Sequence, residues 1–262
     1  MNLLKAVGDP ALRRWRSTCG IAALAWAVAC LALKPNSWRR TTRHELGKQV
    51  LFTGVDALGL TLLIAVLAGI SVVLQAQLWL NRIGQSEMLG EVLVTVVVRG
   101  IGPIFVCFLV IGRSGTAIAT ELANMSVMGE VKILDSQGLD PVPYLVMPRV
   151  VAMAVSVLSL ATVFIAVSLG SGYVFGSLFG IASGDIGLFA NGVFMAIEPG
   201  DLPALAAKTV IPGIAMGVIC CIEGLDAKHS VTEVPQAATK AVVRSIAAVV
   251  LISCVVSVVE YF

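Results

Sequence analysis

Five apolar runs, each long enough to cross a bilayer as a helix, take up most of this 262-residue chain and leave it few other ways to fold. About 20 residues rising roughly 1.5 Å each match a hydrocarbon core of about 30 Å. The runs extend roughly from Leu51 to Leu80, Val92 to Ile111, Val150 to Phe179, Leu205 to Ile222 and Ala241 to Val259. Inside lipid an open sheet would strand its edge groups, so the runs are read as helices. The expected fold class is an all-α integral membrane protein of about five transmembrane helices. Hydrophobic residues make up 58% of the chain, charged residues 13%, and the mean hydropathy is +0.94, more apolar surface than a soluble core can absorb. A formal net charge of +2 gives no reason to expect nucleic acid as a partner.

Residues 1–48 form a basic N-terminal region. Its apolar run, Gly20 to Leu33, is too short to cross comfortably and lies between Arg13, Arg14, Trp15, Arg16 and Trp38, Arg39, Arg40, Arg43. It is expected to be an interfacial helix, retained because no small-residue cleavage pattern follows it. Residues 49–262 form the five-span domain. With five crossings, segment 113–149 and the connection Glu223 to Thr239 share a side with the N-terminus. That side then collects Arg113, Lys132, Arg149, Lys228, Lys240 and Arg244, against Arg82 and Lys208 on the other, so it is expected to be cytoplasmic, with the C-terminus outside. Cys19, Cys30, Cys107, Cys220, Cys221 and Cys254 stand in apolar surroundings without metal-ligand spacing, and no metal site is expected.

Three features bear on function. Segment 113–149 opens on Gly112-Arg113-Ser114-Gly115, and its Met128, Val131, Leu134 and Asp135 fall at helical spacing before Gly138, Pro141 and Pro143. The short amphipathic helix this predicts, over Val127 to Gly138, suits docking into a partner's groove, or lying on lipid. Arg99 stands inside the second run beside Gly100, Gly102 and Pro103, where an unpaired guanidinium costs several kcal/mol unless it reaches water, a headgroup or a carboxylate. Gln75 and Gln77, near the end of the first run, suit a cavity or an interhelical hydrogen bond better than lipid tails. Gly172, Gly176 and Gly180, and likewise Gly213 and Gly217, offer small faces for close helix packing.

The central block resembles the MlaE (YrbE-like) permease family of ABC transporters that handle phospholipids. The likeness is carried by Gly112-Arg113-Ser114-Gly115, the small residues leading to Glu121, the Leu139-Asp140-Pro141 turn, Pro148-Arg149, and Ala238-Thr239-Lys240-Ala241-Val242-Val243. The resemblance implies a homodimer in the bacterial inner membrane, with the N-terminus cytoplasmic and the C-terminus periplasmic. It implies a separate ABC ATPase that binds ATP and Mg, a periplasmic MCE-domain carrier, and a small cytoplasmic STAS-type subunit in some systems. Glu130, Val131, Lys132, Leu134, Asp135, Asp140 and Arg149 would couple to the ATPase, with Val131 and Leu134 as the apolar anchor. Leu74, Gln75, Gln77, Leu78 and Arg99 would contact phospholipid. The sequence departs from the family at Arg99-Gly100-Ile101-Gly102-Pro103, where the family commonly has an acidic residue after the arginine, so a partner for Arg99 must come from elsewhere. Snorkelling, or bonding to carbonyls at the helix break, is the alternative role for Arg99.

The chain lacks a phosphate-binding loop, since Gly47-Lys48 has no upstream glycine of that motif, so it is expected to be a transport subunit without its own nucleotide-hydrolysing site and without a bound cofactor. An intramembrane serine protease built on Ser114 would need a general base, and His44 and His229, the only histidines, both fall in polar segments. An ion-coupled secondary transporter would want more midplane ionisable groups than Arg99.

Overall fold

The computed structural model describes residues 40–84, 88–178, 186–227 and 230–261, with residues 20, 23–28, 30 and 31 near the N-terminus. Among them, five helices are long and apolar enough to cross a membrane: Thr42–Ile83, Leu89–Val127, Val142–Leu178, Asp201–Leu225 and Val234–Glu260, the first to fifth spans. The spans outrun the apolar stretches that announce them, because hydropathy marks residues in lipid whereas backbone hydrogen bonding carries a helix on into polar sequence. The second span shows this most. It stays helical through Arg113 and ends only at Val127, sixteen residues past the apolar run.

Glycines set the register between spans. In the first span, a Cβ at Gly69 would come within 2.0 Å of the Ser168 carbonyl oxygen, and one at Gly172 within 2.2 Å of Val73, so the first and third spans touch backbone to backbone. Gly213 and Gly217 of the fourth span lie against Ala154 and Val150 of the third, so these small faces are used within the chain. Gly176 sits against Gln77; Gly180 lies outside the described residues. The fourth span is the most enclosed, with 61% of its most apolar window buried, against 17% for the fifth, whose Val243, Val250, Val255 and Val258 are exposed.

The ends of the bundle differ in height. Gly102 faces Ile165 of the third span, which runs on to Leu178, so Gly102 lies roughly 20 Å, and Arg99, three residues higher, about 15 Å, at 1.5 Å per residue, below the upper end of that span. The fourth span begins at Asp201, beside Arg99, and so starts below the upper ends of the second and third spans. The helix Ile186–Ala196 fills the step. Residues Ile181 to Pro203 read as a loop because Gly187, Gly192 and Pro199 are poor helix formers. Packing overrides that preference, for Phe189, Val193 and Ala196 bury against Val94, Val98, Ile165 and Leu169, and the missing side chain at Gly90 lets the Gly192 backbone approach.

Near the N-terminus, residues 23–28 are helical; Val28 is buried and Leu24 and Leu31 pack on the main core, while Trp26 faces outward. Arg13, Arg14, Trp15, Arg16, Trp38 and Lys228 lie outside the described residues.

Candidate functional site

The intramembrane arginine finds its carboxylates across the bundle. The second span winds as a π-helical stretch over Val94–Ile101 and resumes α-helix at Gly102, followed by Pro103, whose missing N–H suits a break in the ladder. Arg99 leaves from that stretch and reaches Asp201 at the head of the fourth span, Nε to Oδ1 at 2.6 Å, with Nη2 donating to Oδ2 at 3.1 Å. Glu198 stands at 3.5 Å from Nη2. The Glu198 backbone N–H donates to Asp201 Oδ2 at 2.9 Å, so one tight turn positions both acids. Lys208, buried two helical turns below Asp201, donates to the Arg99 carbonyl oxygen at 2.7 Å and pairs with Glu260 near the end of the fifth span.

This network ties the second, fourth and fifth spans together and borders a cavity of ≈ 530 Å³. Arg99, Glu198, Asp201 and Glu260 give it a polar floor, and Ala204, Val256 and Val259 an apolar wall. A charged floor beside an apolar wall at membrane depth suits an amphiphile, whose headgroup and chains need opposite surroundings. Arg99 stands out in the sequence, whereas Asp201, Glu198 and Glu260, which surround it here, do not. A usable signal was present, since Asp201 and Lys208 are seven residues apart, two turns on one helix face, and intramembrane charges turn inward toward partners.

The other residues expected to contact lipid fall elsewhere. Gln77 faces inward, buried against Gly176 of the third span. Gln75 faces outward, with Nε2 donating to Ser71 Oγ at 3.3 Å, and Leu78 is exposed near it. Residues two apart on a helix point nearly opposite ways, which is why one cavity does not take both glutamines. Leu74 is partly buried, and neither it, Gln75, Gln77 nor Leu78 lines the cavity beside Arg99 within one chain.

At the opposite end, the expected amphipathic helix is present but shorter, Glu130–Ser136, because Val127 still belongs to the second span. Gly129 (φ 78°) and Gly138 (φ 74°) bracket it in the left-handed conformation that a side chain would strain. The Leu139 N–H donates to the Leu134 carbonyl at 3.1 Å, completing a Schellman stop. Glu130, Lys132 and Asp135 are exposed, whereas Val131 and Leu134 turn inward and pack on the chain's own core. The outward apolar residues are instead Met128, Ile133 and Leu139. Asp140 Oδ1 accepts the Val142 N–H at 3.0 Å and caps the start of the third span. Arg149 is buried within the chain, where Nη2 pairs with Glu121 at 2.8 Å and Nη1 donates to the Leu145 carbonyl at 3.0 Å. It presents no surface to a partner; it binds the third span to the second. Arg244 pairs with Glu223, and Arg113 with Asp56 at 3.7 Å, in the same end of the bundle.

Ser114 is fully buried, and its Oγ has no hydrogen-bond partner among the described residues, which gives the protease reading no support. Cys107, Cys220 and Cys221 are buried, Cys30 is half-buried and Cys254 exposed.

Comparison with known proteins gives a concordant result. The family model described as Permease MlaE matches residues 46–259. The chain is 27% identical over 250 residues, 95% of its length and 69% of the relative's, to the protein trigalactosyldiacylglycerol 1, chloroplastic, of Arabidopsis thaliana. It is 26% identical over 247 residues to a probable ABC transporter permease protein of Rickettsia felis, covering 94% of this chain and 92% of that one. A probable ABC transporter permease protein of Synechocystis is 27% identical over 211 residues, 80% of this chain and 79% of the other.

Proposed function

The chain belongs to the MlaE permease family and is the permease component of an ABC transporter, and from that premise we propose that it moves phospholipid between the bacterial inner membrane and a periplasmic MCE-domain carrier. The observation that carries the lipid reading is the paired Arg99–Asp201 cluster opening, at membrane depth, on a cavity with an apolar wall. The name of the Arabidopsis relative, which is that of a glycerolipid, supports a glycerolipid cargo. Family membership sets aside the ion-coupled secondary transporter.

In this reading ATP and Mg act on a separate ABC ATPase, and two copies of the permease enclose the lipid path, with a STAS-type subunit as a further cytoplasmic partner. The end bearing Lys48, Arg113, Lys132, Arg149, Lys240 and Arg244 is cytoplasmic, as the distribution of basic residues favours, which puts Glu260 on the periplasmic side. The ATPase meets the short helix Glu130–Ser136, where Met128, Ile133 and Leu139 offer the apolar contact and Glu130, Lys132 and Asp135 the polar rim. Force reaches the membrane through the Glu121–Arg149 pair and the Asp140 cap, which join that helix to the second and third spans.

The test is ATP-dependent transfer of labelled phospholipid from vesicles holding the reconstituted complex to the carrier. Arg99→Ala is expected to lower transfer about tenfold or more, the scale of a lost hydrogen bond to a charged group, with ATPase co-purification unchanged. Undiminished transfer would remove the assignment of the cavity.

A further inference from the structure

The charges around the cavity do not balance, and the excess is acidic. Lys208, with 5% of its side chain exposed, is held by Glu260, and Arg99 is held by Asp201, whose side chain is 6% exposed. Glu198 is left over. Its side chain is 73% exposed and stands 3.5 Å from an arginine that already has a closer carboxylate. The turn that orients Asp201 also anchors the Glu198 backbone, since the Glu198 N–H bonds Asp201 Oδ2, so the spare acid is carried at the cavity's edge. The sequence adds a reason for the arrangement. Gly100 follows Arg99, so no acid is tied to the arginine from its own helix, and the acids come from a turn that has one to spare.

A headgroup phosphate entering beside Arg99 must compete with two carboxylates. If it brings only its own negative charge, it adds to an acidic excess in a partly desolvated place. If it also carries an ammonium group, Glu198 can leave Arg99 and take the ammonium while the phosphate takes the guanidinium, and the number of ion pairs does not fall. Resting on the reading of the cavity as the lipid headgroup site, we propose that Glu198 is a specificity residue that makes the site select headgroups bearing a cationic amine beside the phosphate, such as ethanolamine, over headgroups bearing the phosphate alone, such as glycerol. The apolar wall of Ala204, Val256 and Val259 receives the start of the acyl chains in both cases, so the selection rests on the headgroup.

The experiment uses the full chain, extracted with detergent from vesicles of equal phosphatidylethanolamine and phosphatidylglycerol with identical acyl chains, and weighs the retained lipids by mass spectrometry. Wild type is expected to retain ethanolamine lipid above its share. Glu198→Gln should lower the ratio about two- to fivefold, the scale of one exposed charge pair, and Glu198→Lys should lower it further. Lipid adhering to the outside of the spans is common to all of them, so the ratio is taken after subtracting the amount of each lipid that Arg99→Ala retains. Because Glu198 is exposed, both variants are expected to elute from gel filtration as wild type does. Equal ratios in wild type and both variants would overturn the selectivity while leaving the headgroup site in place. An unchanged amount of retained lipid in Arg99→Ala would overturn the site itself.

Discussion

The two charged ends of this bundle are built differently. At the end carrying the short helix, three arginines each meet one acid on a neighbouring span: buried Arg149 with Glu121, half-buried Arg113 with Asp56, and exposed Arg244 with Glu223. Beside the cavity, Arg99 faces two acids and the total is uneven. One-to-one pairs hold helices at fixed distances and leave nothing over for a ligand. An uneven cluster on a cavity retains a charge that an incoming group can satisfy. The contrast separates struts from a site without appeal to the family.

The sharpest way to break that contrast is to remove an acid from each end. Glu121→Ala strands Arg149, whose side chain is 6% exposed, and is expected to cost about 3 kcal/mol, seen as a marked drop in the thermal midpoint of the detergent-solubilised protein. Asp201→Ala should cost less, about 1–2 kcal/mol, because Arg99 keeps Glu198 and is less buried. If Asp201→Ala proves the more damaging, the upper cluster is the principal strut and the contrast is reversed. A smaller effect on stability distinguishes the two faces of the short helix. Leu134→Asp should lower both the thermal midpoint and ATPase co-purification, since Leu134 packs inward, whereas Ile133→Asp should lower co-purification and leave stability within about 0.5 kcal/mol. Equal retention of the ATPase by wild type and Ile133→Asp would place the docking surface elsewhere. The smallest change expected is Glu198→Gln, within about 0.5 kcal/mol of wild type in stability despite its effect on lipid choice.

Much of the architecture was legible because lipid imposes one rule on every residue of a span. Five apolar runs of sufficient length gave five spans, and the small residues at 172, 176, 213 and 217 marked helix contacts. The sequence shows the short helix as a helix and puts Val131 and Leu134 on one face, but periodicity does not say which way that face looks; here it packs on the chain's own core. For Arg99, the one-dimensional pattern demanded a partner and could not choose among acids a hundred residues away. Gln75 and Gln77 looked equivalent by neighbourhood in sequence, yet the helical angle between them sends one into the third span and the other outward. Helix Ile186–Ala196 was missed because its stability comes from the groove it fills.

The backbone contact of Gly69 with Ser168 has a consequence for how the protein is made. The surface it requires on the third span is synthesised about 100 residues after Gly69 itself, and at roughly 5–20 residues per second that is an interval of about 5–20 s. The first span therefore emerges from the ribosome and enters the bilayer before its principal neighbour exists, and the second span, next in order, does not fill the groove that Gly69 leaves. Assembly must wait for a later arrival, so the nascent first span is a natural client for whatever escorts unpaired helices at the membrane insertion machinery.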